Sequence, residues 1–299
     1  MKLTILGSNS ATPAYGRHPT AQVLQIEEEL FLIDCGEGTQ MRMQEFDIKR
    51  SKINTIFISH LHGDHYFGLI GFLNSLSLFG RENELHIYAP KKIEEIIKIQ
   101  LDYELSFPIR YHYLIENESQ VLIDNDVLKI ESFPVSHSIP THGFLFIEKE
   151  KRRKLMMDKV NEYEIPKYFR RNLSKGENYI KPNGEIVNNE DVTMAGLPQK
   201  KYAYCADTKY DETIVAKIKD CNVIYHETTY LDKHQEKATA RFHSTTFEAA
   251  KIAKLCNAKK LIIGHFSSRY KELDQFLIEA KTVFENTVLG IEGSVFEIE

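Results

Sequence analysis

Ser59-His60-Leu61-His62-Gly63-Asp64-His65 decides how the rest of this 299-residue chain is read. His60, His62, Asp64 and His65 are all metal-capable and fall within six positions. A strand-like run, Ile53-Asn54-Thr55-Ile56-Phe57-Ile58, precedes them. Apolar residues at helical spacing follow: Phe67, Leu69, Ile70, Phe72, Leu73 and Leu76. A tight loop at a strand's end thus carries three imidazoles and one carboxylate. Packing gives no reason to bunch such groups on a short loop, whereas a metal does. One zinc takes about three or four protein ligands. Four candidates here, with more downstream, imply two metals.

Outward from the cluster, further donors sit at the ends of predicted strands. Residues 126–133 run into Pro134-Val135-Ser136-His137, and Tyr202–Ala206 ends at Asp207. Asn222–Tyr225 ends at His226, and Lys260–Gly264 ends at His265. Sheets with helical crossovers place functional loops at such ends. Imidazole and carboxylate donors suit zinc or manganese. Asp207 is a good bridge, because a carboxylate offers one oxygen to each metal. Two metals about 3.5–4 Å apart favour displacement at phosphorus. His86 and His112, each alone after a strand pattern, read as hydrogen-bonded histidines.

Other strands are predicted at Leu3–Leu6, Ala21–Ile26, Leu30–Asp34, 84–90, 111–116 and 120–123. Helices are predicted after Asp34-Cys35-Gly36-Glu37-Gly38-Thr39-Gln40, around 93–101, at 245–256 with a capping box Thr245-x-x-Glu248, and at 271–285. Four scattered cysteines (Cys35, Cys205, Cys221, Cys256) without a Cys-x-x-Cys pair read as reduced and buried. No apolar run approaches the ~20 residues of a bilayer span, so no membrane role is expected. The first residues lack a signal-peptide pattern, and a cytoplasmic protein is expected.

Residues 149–200 break the rhythm: charges dominate and Lys181-Pro182-Asn183-Gly184-Glu185 marks a hairpin turn. The net charge is −5, yet residues 149–181 carry eleven Lys or Arg against five acids. That segment is +6 and the remainder −11. The asymmetry points to a polyanionic partner more than the total does.

His-x-His-x-Asp-His after a strand, followed by distant His, Asp and His, resembles the metallo-β-lactamase fold superfamily. Leu6–Pro13, Asp34–Gln40, Pro134–His137, His226-Glu227-Thr228, His243-Ser244-Thr245 and Gly264–Tyr270 resemble the ribonuclease Z family, the endonucleases that trim the 3′ trailer of precursor tRNA. The resemblance spans nearly the whole chain. It implies an α/β fold, a four-layer αββα sandwich in one domain over 1–299, with a protruding basic arm inserted at 149–195. It implies two zinc ions per subunit, with manganese an alternative: His60, His62 and His137 on one, Asp64, His65 and His265 on the other, Asp207 bridging. Asp64 is further implied to accept a proton from the attacking water, and Glu227 with His243 to serve the leaving 3′ oxygen. Arg269 would contact a phosphate, and the arm, through Arg170, Arg171, Lys175 and neighbours, would grip the tRNA in a homodimer. Many bacterial relatives carry a Gly-Pro pair near the arm's tip; this chain has Ile165-Pro166-Lys167-Tyr168-Phe169-Arg170-Arg171.

Three other classes compete: a hydrolase of small esters or phosphodiesters on the same fold, a di-iron redox protein, and a non-catalytic RNA-binding protein. A small-substrate enzyme has no use for a +6 arm. A di-iron site favours a carboxylate where His62 stands.

Overall fold

The computed structural model describes residues 1–299. Fourteen strands form two seven-stranded sheets. In chain order they are β1 (Lys2–Gly7), β2 (Ala21–Ile26), β3 (Glu29–Ile33), β4 (Ile53–Phe57), β5 (Leu85–Ala89), β6 (Ile109–Tyr113) and β7 (Gln120–Asp124). Then come β8 (Leu128–Val135), β9 (Thr141–Glu148), β10 (Lys200–Cys205), β11 (Val223–Glu227), β12 (Lys260–Gly264), β13 (Thr287–Leu289) and β14 (Val295–Glu297). The first sheet runs β14-β1-β2-β3-β4-β5-β6 and the second β13-β12-β11-β10-β9-β8-β7. Each is antiparallel on one side and parallel on the other. The parallel pairs are β3–β4, β4–β5 and β5–β6 in one sheet, and β10–β11, β11–β12 and β12–β13 in the other.

The alternation of side chains along the strands builds the layers. Phe31 and Ile33 enter one apolar cluster while Leu32 enters another; Phe57 separates likewise from Ile56 and Ile58. In the second sheet Tyr202 and Tyr204 separate from Ala203 and Cys205. The shared cluster draws on both sheets, with Phe57 against Phe144 and Phe146 at 5.2 and 5.4 Å between ring centres. Each sheet's far face is covered by helices. On the first these are α1 (Thr39–Glu45), α2 (Leu69–Leu78) and α3 (Lys92–Gln100), through Met43, Phe72, Leu73 and Ile93. On the second they are α4 (Thr246–Leu255) and α5 (Asp274–Val283), through Ile252, Ala253, Phe276 and Ala280. The expected αββα order is therefore present. Both faces of a central strand are buried, and each fully buried aromatic contributes about 1.5–3 kcal/mol.

Three sequence expectations change. The strand expected at 111–116 is Ile109–Tyr113. Strand β9, Thr141–Glu148, was not foreseen; buried on both faces, it shows no alternation of apolar and polar residues. The short strands β13 and β14 were also missed. The four cysteines are free and buried, and burial pushes the Cys35 thiol up to about 12. The capping box of α4 is formed: Thr245 Oγ1 accepts from the Glu248 amide at 3.4 Å, and Glu248 Oε2 from the Thr245 amide at 2.9 Å.

The charged insertion leaves the sheet between neighbouring strands, β9 and β10. At its neck the Lys151 amide donates to the Leu197 carbonyl at 2.9 Å, and a Cβ at Gly196 would collide with the Lys151 carbonyl. Charge did not preclude a core there: Val160, Ile165, Leu173, Tyr179, Val187 and Val192 form a separate apolar cluster. Lys181–Glu185 is the expected turn, joining Tyr179–Ile180 to Ile186–Val187, with Gly184 at φ 87°. Arg171 and Lys175 are exposed and Arg170 half-buried, around the short helix Arg170–Ser174.

Candidate metal centre

The donors gather between the two sheets' loop ends. His60 and His62 lie in the extended segment after β4, where residues two apart share a side. His62 then caps the helical turn Gly63–Tyr66, which swings Asp64 and His65 to a different quarter. His137, Asp207 and His265 follow β8, β10 and β12. Ligand-capable atoms of His60, His62, His137 and Asp207 lie within 4.8 Å of one another, and so do those of Asp64, His65, Asp207 and His265. All seven predicted donors are thus brought together in two quartets sharing Asp207. The oxygens of Asp207 divide. Oδ1 is 3.1 Å from His265 Nε2 and 3.3 Å from His65 Nε2, whereas Oδ2 is 3.7 Å from His60 Nε2 and 3.8 Å from His137 Nε2.

The outer nitrogens show that the set suits cations. Four imidazoles have their Nδ1 engaged: His60 with Ser59 Oγ at 3.0 Å, His65 with Asp34 Oδ2 at 2.7 Å, His137 with the Phe242 carbonyl at 2.8 Å, His265 with Thr229 Oγ1 at 2.9 Å. With that proton held outside, each inner Nε2 presents a lone pair. The inner atoms face one another: His137 Nε2 and His60 Nε2 lie 3.1 and 3.0 Å from His62 Nδ1, and His65 Nε2 lies 3.3 Å from His265 Nε2. Asp207 Oδ1 is buried and has no hydrogen-bond donor. Convergent lone pairs beside an unpartnered carboxylate oxygen need positive charge, which divalent metal supplies. Burial works against a proton on His65, yet Asp207, Asp64 and Asp34 raise its proton affinity well above the usual histidine range. Asp64 is held well below the usual carboxylate range: burial raises it, but His65 and the hydrogen bond with His265 prevail.

Two supporting residues escaped the sequence reading. Asp34, taken only as the start of a glycine-rich turn, is fully buried at φ 55°. Its carboxylate accepts from the Ser59 amide at 2.7 Å, the Ser59 hydroxyl at 2.9 Å and the Tyr204 hydroxyl at 2.6 Å, and it meets His65 Nδ1. It therefore ties the histidine loop of one sheet to the other. Thr229 is the second. Its Oγ1 lies 2.8 Å from Glu227 Oε2, 2.9 Å from His265 Nδ1 and 3.2 Å from His243 Nδ1. Glu227 only accepts, so the hydroxyl proton goes to it and Nδ1–H of His265 goes to the hydroxyl. Thr229→Val keeps the shape and removes that acceptor. Affinity for a divalent cation at the quartet containing His265 should fall about 10–100-fold, with Thr229→Ser restoring it, as chelator competition would read.

Glu227 and His243 form a pair beside the quartets. His243 Nδ1 lies 2.8 Å from Glu227 Oε1, which also accepts from the Thr208 and Ser244 amides at 3.1 Å. Burial lowers the proton affinity of His243, but the adjoining Glu227 carboxylate outweighs it and lifts the imidazolium to about 9. A cleft of about 330 Å³, lined by Ser10, Ala11, His62, Asp64, Asp207 and His243 among others, opens onto these groups. The Ala11 amide donates to Asp64 Oδ2 at 2.7 Å, so the first loop forms one wall.

Not every predicted residue joins the cluster. His226, grouped with the donors because a strand ends there, lies inside β11 and turns Nδ1 to the Glu227 carbonyl at 2.7 Å. His86 and His112 meet each other across β5 and β6 at 3.0 Å. Arg269 is exposed on the loop after His265, and Arg170, Arg171 and Lys175 belong to the insertion.

Comparison with known proteins finds relatives in sequence and in fold. A family model described as Anti-Pycsar protein Apyc1 matches residues 1–107. A ribonuclease Z of Cytophaga hutchinsonii is 42% identical over 301 residues, covering 99% of this chain and 96% of the relative. The crystal structure of the short form of human tRNase Z superposes with a TM-score of 0.74 at 27% identity, covering 100% of both chains. A metallo-β-lactamase fold protein of Bacillus subtilis, YhfI, superposes with a TM-score of 0.69 at 18% identity over 99% of this chain and 98% of its own, a likeness of fold. On this footing the chain belongs to the ribonuclease Z family, metal-dependent endoribonucleases of tRNA 3′ processing built on the metallo-β-lactamase fold.

Proposed function

We propose that this protein is a zinc-dependent endoribonuclease that removes the 3′ trailer from precursor tRNA, leaving a 3′ hydroxyl on the tRNA and a 5′ phosphate on the trailer. The observation that carries the mechanism is the pair of ligand quartets joined through the two oxygens of Asp207, with His243 alongside, its Nδ1 2.8 Å from Glu227 Oε1. His60, His62, His137 and Asp207 would hold one cation; Asp64, His65, Asp207 and His265 the other. Zinc, or manganese in its place, supplies Lewis acidity to the scissile phosphodiester and to the water that attacks it. Asp64, ionised and fixed by the Ala11 amide, accepts the proton that the water sheds. His243 gives its proton to the departing 3′ oxygen, which would otherwise leave as an alkoxide. Glu227, saturated by donors, keeps that imidazole charged and aimed.

The insertion would act as the tRNA-gripping arm over about 149–195. Arg170, Arg171 and Lys175 have no carboxylate within 4.0 Å, so their charge is free for phosphates. Met41, Phe67, Leu78 and Phe79 are large apolar groups left exposed on and beside α1 and α2, a surface suited to cover in a homodimer. No helix is long and apolar enough to cross a membrane, and a cytoplasmic site of action accords with the substrate.

Incubating the protein with a precursor tRNA, with and without EDTA, and mapping the cut to the nucleotide tests the reading. Cleavage just after the discriminator base, abolished by EDTA and restored by zinc or manganese, is expected. A chain lacking 149–195 should lose far more activity on precursor tRNA than on bis(p-nitrophenyl) phosphate. Full tRNA cleavage without the insertion would remove its role, and no cleavage by the intact metal-loaded protein would leave the small-phosphodiester hydrolase as the better reading.

A further inference from the structure

The surface just outside His243 carries charge that the ligand quartets and the basic insertion do not use. A helical run covers Asp232–His234 and Gln235–Ala240 and ends in Arg241 and Phe242. Lys237 and Arg241 are four apart on the helix Gln235–Ala240 and its C-terminal cap, so they share one side of it, and Lys233 precedes it on the turn Asp232–His234. Lys233 and Arg241 are exposed; Lys237 lies with Nζ 6.0 Å from the Tyr230 ring centre. Arg269 enters the same region from the loop after His265, where the ring of its neighbour Tyr270 lies 6.3 Å from that of His234 and the Tyr270 hydroxyl accepts from the Leu231 amide at 3.4 Å; burial and then Arg269 and Arg241 lower the proton affinity of Lys237.

Some lysines on other helices pair with acids three or four residues away. Lys98 lies 2.6 Å from Glu94 and Lys159 2.8 Å from Glu162. Here no carboxylate lies within 4.0 Å of Lys233, Lys237, Arg241 or Arg269. Asp232 and Glu236, also four apart, sit on a neighbouring stripe, and Asp232 accepts from Thr245 Oγ1 at 3.3 Å. Unpaired like charges along one helix side are unfavourable in the free protein and become favourable once polyanionic backbone displaces counterions.

The stripe is continuous with the metal centre. Phe242, at φ 56°, accepts at its carbonyl from His137 Nδ1, and His243 follows in the cleft wall. From Gln235 to Arg241 the helix spans about 9 Å at 1.5 Å per residue. If His243 protonates the leaving 3′ oxygen, its side of the cleft is the tRNA side of the cut.

We infer that Lys233, Lys237 and Arg241, with Arg269, form a phosphate track for the acceptor-stem backbone of precursor tRNA, on the leaving-oxygen side of the metal centre and separate from the basic insertion. This rests on the proposed tRNA cleavage. The track supplies affinity and register without reading bases.

The test is the triple variant Lys233→Ala/Lys237→Ala/Arg241→Ala of the full zinc-loaded chain, beside the milder Lys237→Gln. Three lost duplex-phosphate contacts should reduce the slope of log kcat/KM against log salt by about 2 to 3. KM for precursor tRNA should rise tenfold or more with kcat within about twofold, and equally for trailers of one or twenty nucleotides. A loss confined to the long trailer would assign the stripe to the trailer and overturn the acceptor-stem assignment. An unchanged salt slope, with zinc content and melting temperature matching the parent, would overturn the track altogether. Failure of the unmodified protein to cut precursor tRNA would instead count against the cleavage itself, which separates the two readings.

Discussion

Asp207→Ala should lower kcat/KM on precursor tRNA by about 10³-fold or more and release bound metal from both quartets. The expectation rests on how its carboxylate is placed. One oxygen faces His65 and His265, the other His60 and His137, and nothing else in the cluster spans both sets. Losing the shared ligand forfeits several kcal/mol of charge stabilisation in the transition state, and each 1.36 kcal/mol is tenfold in rate. Asp207→Asn should fall between, because it keeps an oxygen but not the charge. Elemental analysis with kinetics decides: an alanine variant that retains two zinc ions and parental kcat/KM would refute the bridging role. The donor set also fixes the response to acid. His65, whose proton affinity the three carboxylates raise, must release its proton to bind metal, so zinc affinity should rise with pH.

His243→Ala should reduce kcat on precursor tRNA by about 10²–10⁴-fold, the usual contribution of a positioned acid, with little change in zinc content. The loss should be much smaller on bis(p-nitrophenyl) phosphate, whose leaving group needs no proton. Equal losses on the two substrates would show that His243 acts on something other than the leaving oxygen. Glu227 makes a linked case. Because its charge lifts the His243 imidazolium to about 9, the acid form prevails at neutral pH and is lost as pH rises through that value. Glu227→Gln removes the charge while keeping the size. The alkaline limb of kcat should then move down toward 6.5, the ordinary histidine value, which a pH–rate profile would register.

Much of the fold was legible because its parallel strands are short apolar runs that stop at a polar donor: Tyr202–Ala206 before Asp207, Lys260–Gly264 before His265. Legibility failed where the pattern lost its contrast. Thr141–Glu148 is buried on both faces, so nothing alternates, and its first residues follow the loop after His137. The insertion looked coreless because six apolar residues are spread over more than thirty positions, and only folding collects them. The same reasoning misplaced His226: the strand runs one residue further, to Glu227, so His226 lies within it, and its buried ring bonds its neighbour's carbonyl.

By itself the sequence determined the chemistry of the donors and their approximate number. Ligand identity resides in residue type, and His60, His62, Asp64 and His65 are close because the chain makes them close. It also determined the local devices around them, including the capping box at Thr245 and the turn at Lys181–Glu185, since both are written in a few adjacent residues. Only the tertiary structure decided which oxygen of Asp207 faces which quartet, that Asp34 fixes His65, and that Thr229 joins Glu227 to His265. Asp34 and Tyr204 are 170 residues apart, and Asp64 and His265 are 201 apart. Contacts of that separation depend on the register and facing of two sheets, a global outcome of burying Phe31, Phe57, Phe144, Phe146 and Tyr204 between them. No local spacing records it.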